Sequence, residues 1–136
     1  MINDITVQGG RRVELKLQGI ARKITDLTPA FNDMKVKIIE LFKKNFDAQG
    51  NIVGSRWAAR KYSYPWPTLN RTGKMKNTWK DKTQKLRLEI ENPVKYSGYH
   101  QFGTTRLPIR AIVGVSPPIT NVIVEAIKRY IKSSIT

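Results

Sequence analysis

The stretch T-P-A-F-N-D-M-K-V-K-I-I-E-L-F-K-K-N-F, Thr28 to Phe46, decides how the rest of the chain is read. Phe31, Met34, Ile38, Leu41 and Phe42 recur at three- and four-residue intervals, which places them on one face of an α-helix. Lys35, Lys37, Lys43 and Lys44 take the opposite face. Thr28 reads as the N-cap and Pro29 as a first-turn residue, because a fixed φ and a missing N–H suit a helix start. Asp33 near one end and Lys43-Lys44 near the other agree with the helix dipole. Gly50 lies just past the end. A helix this one-sided needs an apolar partner, and the flanking sequence offers several.

Downstream, Thr78 to Thr83 and Leu86 to Glu91 read as two strands of a hairpin turning at Gln84-Lys85. Leu86, Leu88 and Ile90 alternate with Arg87, Glu89 and Glu91, the period of a half-buried strand. Arg110 to Val115 reads as a further strand, buried because it lacks polar alternation. Ser116-Pro117-Pro118 starts a last helix with the stripe Ile119, Val122, Ile123, Ala126, Ile127, Tyr130 and Ile131. Lys95 to Phe102 is expected to form one or two helical turns. Upstream, Ile2 to Val7 reads as a short strand broken by Gly9-Gly10. Val13, Leu17, Ile20, Ile24 and Leu27 predict an amphipathic helix. The expected fold class is therefore α+β, an antiparallel sheet packed with a long central helix and a C-terminal helix. Residues 50–72, with no period and with Pro65 and Pro67 about Trp66, form a long mobile loop in this reading.

With 136 residues, a single domain over 1–136 is expected. Cysteine is absent, which excludes disulfides and thiolate metal sites. No apolar run approaches the roughly 20 residues of a membrane-spanning helix. The start lacks the pattern of a signal peptide, so folding in the cytoplasm is expected. Charge is the outlier: 25 Lys and Arg against 10 Asp and Glu give +15. Such a field attracts nucleic acid, anionic surfaces or acidic proteins. Between Arg56 and Arg87 only Asp81 opposes ten basic residues, and Trp57, Tyr62, Tyr64, Trp66 and Trp79 are interleaved with them. Bases can stack on such a platform. The competing reading is a solvated basic loop and hairpin held to the body by its aromatic rings.

Chemistry is hard to find. His100 is the sole histidine, and no cysteine accompanies it, so a zinc site would need carboxylates alone beside it. No nucleophile-elbow pattern and no phosphate loop occur; Thr72-Gly73-Lys74 reads as a turn. Glu89 and Glu91 share one strand face and read as partners for basic residues, not as an acid–base pair. No catalytic residue, cofactor or metal ligand is expected. His100 and Gln101 are expected to hydrogen-bond to backbone of the following loop, with Tyr96, Tyr99 and Phe102 packed around them.

An ordered series of motifs resembles the phage virion morphogenesis family, the tail-completion proteins of contractile- and long-tailed phages. A helix ends in Phe42 and Phe46 and is followed by Asp47 to Gly50 and Ser55-Arg56-Trp57. Leu69, Thr72-Gly73 and Met75 are similar to the family's Leu-x-x-Thr-Gly-x-Leu element. Tyr96 and Tyr99-His100-Gln101-Phe102-Gly103 are similar to its Tyr-Ala-x-x-His-Gln-x-Gly element. Pro108, Arg110 and Ala111 to Gly114 are similar to its Pro-Arg-Pro-Phe-Leu-Gly element. The series covers about residues 13 to 131. Ser97 stands where the family has alanine, Ile109 separates Pro108 from Arg110, and Ala58 to Asn70 does not match.

The resemblance implies a non-enzymatic structural protein that completes the tail or joins it to the head. It implies a homo-oligomer, often a sixfold ring at the neck, in contact with other neck or tail proteins. It places the chain in the host cytoplasm during assembly and in the virion afterwards; the basic charge adds the expectation of weak, non-specific DNA contact, and the lack of a spanning run that of no membrane. Trp57, Arg60, Lys61, Trp66, Lys80, Lys82 and Lys85 are the candidate interface residues. A mobile loop ordering against a neighbour and a sheet edge guarded by Lys80, Lys82 and Lys85 would suit a ring subunit. The alternative is a nucleic-acid-binding protein that uses the Trp, Tyr, Lys and Arg of 56–87. An enzyme built on His100 is the third reading.

Overall fold

The computed structural model describes residues 2–8, 12–17 and 26–135. Eight elements follow in chain order: β1 (Ile2–Gln8), β2 (Arg12–Leu17), α1 (Thr28–Asp47), α2 (Lys74–Asn77), β3 (Lys80–Thr83), β4 (Arg87–Glu91), α3 (Ser97–Phe102) and α4 (Pro117–Ile135). The class is α+β. The strands form one antiparallel sheet in the order β1-β2-β4-β3, and α1 packs against both α4 and the β3–β4 hairpin.

α1 buries the face that its sequence period marks: Phe31, Met34, Ile38, Phe42 and Phe46 are each at most 2% exposed. Ile119, Ile123, Ala126 and Ile127 of α4 and Leu88 and Ile90 of β4 complete the core around it. Each large side chain buried this way contributes about 1.5–3 kcal/mol. The exposed pairs that join the two helices, such as Arg129 to Asp33 at 2.7 Å, contribute about 0–1 kcal/mol. The apolar stripes therefore hold the helices together, and the ion pair orients them. Arg129, by its hydrogen bond, holds the Asp33 carboxyl below the usual range. Tyr130 of α4 adds a hydrogen bond to the Asp26 carbonyl at 2.6 Å.

Three sequence expectations need correction. The helix expected from Val13 is not formed: residues 12–17 are β2, paired with β1 and β4. The rest of that expectation, up to Ile24, lies outside the described residues apart from Leu27, which is buried. Val13, Leu15 and Leu17 also alternate with Glu14 and Lys16, a strand period hidden inside the helical spacing. Val13 stands opposite Ile90 and Leu15 opposite Leu88, so pairing with β4 decides for the strand. The strand expected over Arg110 to Val115 is also absent; this segment is irregular. The hairpin turn sits one residue later than expected. Gln84 donates to the Arg87 carbonyl at 2.8 Å, which leaves Lys85 and Leu86 as the connection and Leu86 exposed.

Two helix starts also differ in detail. Thr28 lies inside α1, and its N–H donates to the Asp26 carboxylate at 2.9 Å. This pair, through the Thr28 side chain and N–H, lowers the Asp26 pKa. Ser116 spends its hydroxyl on the Ile52 carbonyl, not on capping α4. At its other end α1 closes with a Schellman arrangement. Gly50 donates to the Asn45 carbonyl at 2.9 Å and Gln49, at φ 53°, donates to the Phe46 carbonyl at 3.3 Å.

Candidate functional site

The motif residues converge on the irregular segment 110–116 and the loops that hold it. Its backbone lacks a strand partner, so side chains from elsewhere satisfy it, as buried polar groups require. Asn45, fully buried on α1, donates to the Ala111 carbonyl at 3.2 Å and accepts the N–H groups of Ile52 and Val53 at 3.0 and 3.1 Å. The Trp57 indole N–H donates to the same Ala111 carbonyl at 2.9 Å. Gln101 of α3 accepts the Ile112 and Val113 N–H groups at 2.7 and 3.0 Å and donates to the Val113 carbonyl at 2.9 Å. Three side chains thus replace a strand.

Gly50 and Trp57 are matched. Gly50 has φ 94°, and a Cβ there would lie 2.4 Å from the indole Cδ1 of Trp57. Trp57 is 6% exposed and meets Phe46 edge-on at 5.4 Å. Gly114 lies against the Val53 backbone, and Thr72 accepts the Lys74 N–H just before α2. Gly73 starts α2, with its carbonyl taken by Asn77. Gly103, at φ 72°, ends α3 where the chain folds back; a Cβ would meet Ile109 and the Leu107 carbonyl at 3.0 Å. Pro108 stands exposed in that return.

Arg110 is 6% exposed, and no carboxylate among the described residues faces it. Its Nε donates to the Ala58 carbonyl at 3.0 Å and a terminal nitrogen to the Ala59 carbonyl at 3.3 Å. Burial, and then the positive charge of Arg60, lower its pKa, yet a guanidinium remains a cation at physiological pH. Arg60 itself keeps one terminal nitrogen buried without a partner.

Beyond Arg60 the basic loop folds on itself. Arg60 lies over Tyr64 at 5.5 Å, Tyr64 stacks on Trp66 at 5.0 Å, and Arg71 covers Trp66 at 4.4 Å. Lys61 lies over Tyr62 at 5.6 Å. Trp79 packs on Phe42 at 5.4 Å and donates to the Lys76 carbonyl at 2.7 Å. All three tryptophans are therefore engaged within the chain. A groove of about 750 Å3 runs beside this loop, lined by Arg56, Trp57, Arg60, Lys61, Tyr62 and Thr68.

The histidine motif divides differently from expectation. Gln101 bonds the following loop, as read, but His100 does not: its Nδ1 is buried without a hydrogen-bond partner. Tyr96 meets the imidazole edge-on at 6.4 Å but is 41% exposed, and Tyr99 and Phe102 are 60% and 59% exposed. They do not pack around the motif, because α3 is too short to turn more than Ser97 and Gln101 inward. Together with Leu107 and Ile109, 37% and 65% exposed, they leave an apolar surface on α3 and the return loop. Sequence reading did not single out this surface as a site, nor Asn45. The signal for Asn45 was a polar residue between Phe42 and Phe46 on the apolar stripe.

Burial, and then Arg110, lower the His100 pKa from its ordinary 6.5. The unfolded chain therefore takes up a proton before the folded one does. Stability should be full above about pH 6.5 and fall as pH drops below it. Melting temperature should decline between about pH 7 and pH 5 in the natural protein and stay level in His100→Gln. An equal decline in both would refute this assignment.

Lys80 and Lys82 stand exposed on β3, the outer strand beyond β4, opposite Glu91 and Glu89 in the ladder. Arg87 also pairs with Glu89. Lys85 is exposed in the turn, and its carbonyl accepts the Leu27 N–H at 2.7 Å. No cluster of His, Asp and Glu suited to a metal ion occurs among the described residues, and no helix there is long and apolar enough to cross a membrane.

A profile of the phage virion morphogenesis family matches residues 9–132. No curated protein and no solved structure matches the chain.

Proposed function

The chain belongs to the phage virion morphogenesis family, a structural family generally without enzymatic activity, and from that premise we propose that it completes the tail or joins the tail to the head, as a ring-forming subunit of the neck. The observation that carries this reading is the outward exposure of the apolar side chains of Tyr99, Phe102, Leu107 and Ile109. Exposed apolar area of this kind marks a face that another protein covers. The lysines of β3 charge the sheet edge, as an edge needs to be if it is to avoid pairing prematurely.

The nucleic-acid reading loses its main support. Trp57 is in the core, Trp79 is packed on Phe42, and Trp66 is held between Tyr64 and Arg71. Charge alone leaves weak, salt-sensitive contact with DNA.

Copies carrying +15 repel one another until a partner or salt offsets the charge. Raising salt from about 0.05 to 0.5 M, which shortens the screening length about threefold, should therefore shift the protein toward oligomers in sedimentation velocity. Monomers at both salts would contradict it. The functional test is electron microscopy of particles from the source strain with this gene deleted, and with it restored. Filled heads separate from unjoined or over-long tails are expected in the deletion. Normal joined particles would remove the proposed role.

A further inference from the structure

Arg60 and Arg110 are neighbouring guanidinium groups that no carboxylate faces among the described residues, and Arg56 and Lys61 line the same groove as Arg60. Holding like charges together next to buried backbone is unfavourable unless an anion completes the arrangement. The chain has little negative charge to give. The carboxylates of Asp33, Asp47, Asp81, Glu89 and Glu125 are already paired with its own Lys and Arg residues. A second copy brings the same excess of 25 Lys and Arg over 10 Asp and Glu.

The groove and the apolar surface are linked through Arg110. Arg110 follows Ile109 in the chain, and its guanidinium binds the carbonyls of Ala58 and Ala59, which line the groove. A duplex backbone would meet the cations but leave Phe102, Leu107 and Ile109 uncovered. An acidic protein segment with apolar side chains would cover both.

We infer that this joined surface, the Arg56–Tyr62 groove and the Phe102–Ile109 apolar face, docks an acidic, partly apolar segment of a different virion protein, whose carboxylates bind Arg60 and its neighbours. The inference names the partner of the assembly role proposed above and rests on that role. It separates two contacts: the heterologous partner takes this face, and contacts between copies use others.

The test complements the deletion strain with the chain carrying the photocrosslinker p-benzoylphenylalanine in place of Tyr62, Phe102 or Ile109. Assembled particles are irradiated and the crosslinked peptides sequenced. Crosslinks to another virion protein, at a segment containing Asp or Glu, are expected. Crosslinks to a second copy, crosslinks to DNA, or none in complemented particles would overturn the inference. In parallel, Arg60→Glu should lower the yield of complete particles about tenfold or more, as loss of an interfacial charge pair does. Lys44→Glu makes the same change in net charge on exposed α1 surface and should complement normally. Equal losses in the two variants would assign the effect to overall charge and reject the site. If the deletion itself yields normal particles, the assembly role falls and this inference with it. If the natural chain complements but the crosslinks lie elsewhere, only the inference falls.

Discussion

Gln101→Leu is expected to lower the free energy of unfolding by about 4 kcal/mol. The leucine fills similar space, so the loss comes from hydrogen bonding and not from a cavity. Three backbone groups lose their partners together: the N–H of Ile112, the N–H of Val113 and the carbonyl of Val113. Ile112 and Val113 are at most 1% exposed, so water does not replace the amide without opening the core. Each buried group left unpaired costs about 1–3 kcal/mol, and the leucine recovers part through its own burial. Small domains have about 5–15 kcal/mol in all, so the variant should be close to unfolding at ordinary temperature. Urea unfolding measures this directly: the midpoint should fall and the slope should stay the same. A midpoint within the error of the natural protein would mean that the segment 110–116 is held by something other than Gln101.

The second large effect is expected at Trp57. Trp57→Ala should cost about 3–5 kcal/mol, in the range of large aromatic truncations in a core. The ring is nearly fully buried, meets Phe46 edge-on, and closes over Gly50. Trp57→Phe keeps most of the ring and loses the indole N–H bond to Ala111, for about 1–2 kcal/mol. The two variants form an ordered pair: alanine well below phenylalanine, phenylalanine a little below the natural protein. A surface stacking platform would behave otherwise, because truncating an exposed aromatic ring away from special contacts changes stability by about 0.5 kcal/mol or less. Unfolding midpoints of the two variants thus also decide whether Trp57 belongs to the fold or to a ligand.

Much of the framework was legible. α1 and α4 announce themselves by stripes of apolar residues at helical spacing and by prolines in their first turns. β4 announces itself by the alternation of Leu88 and Ile90 with charged neighbours. The resemblance carried by Tyr99-His100-Gln101, Thr72-Gly73 and Pro108 to Gly114 pointed to the family that the profile match assigns. The failures have physical causes. Val13 to Leu17 satisfies two periods at once, and the presence of β1 and β4 on either side selects the strand. Ala111 to Val113 is as apolar as a buried strand, but amides from α1 and α3 and the Trp57 indole take the bonds a sheet neighbour would have made. Tyr99 and Phe102 look like core residues by composition, and a six-residue helix leaves them outside.

The sequence by itself determined α1, α4, the β3–β4 hairpin, the family and the basic charge, because capping, periodicity and composition act over a few residues. Only the tertiary structure decided which polar side chains hold segment 110–116, that the tryptophans turn inward or pair with arginine, and that an apolar face is left beside uncompensated guanidinium groups. Those outcomes depend on residues such as Asn45 and Ala111, or Trp57 and Ala111, meeting from far apart in the chain. Hydrogen bonding and burial at such contacts follow from how the elements pack, and local pattern carries no record of that.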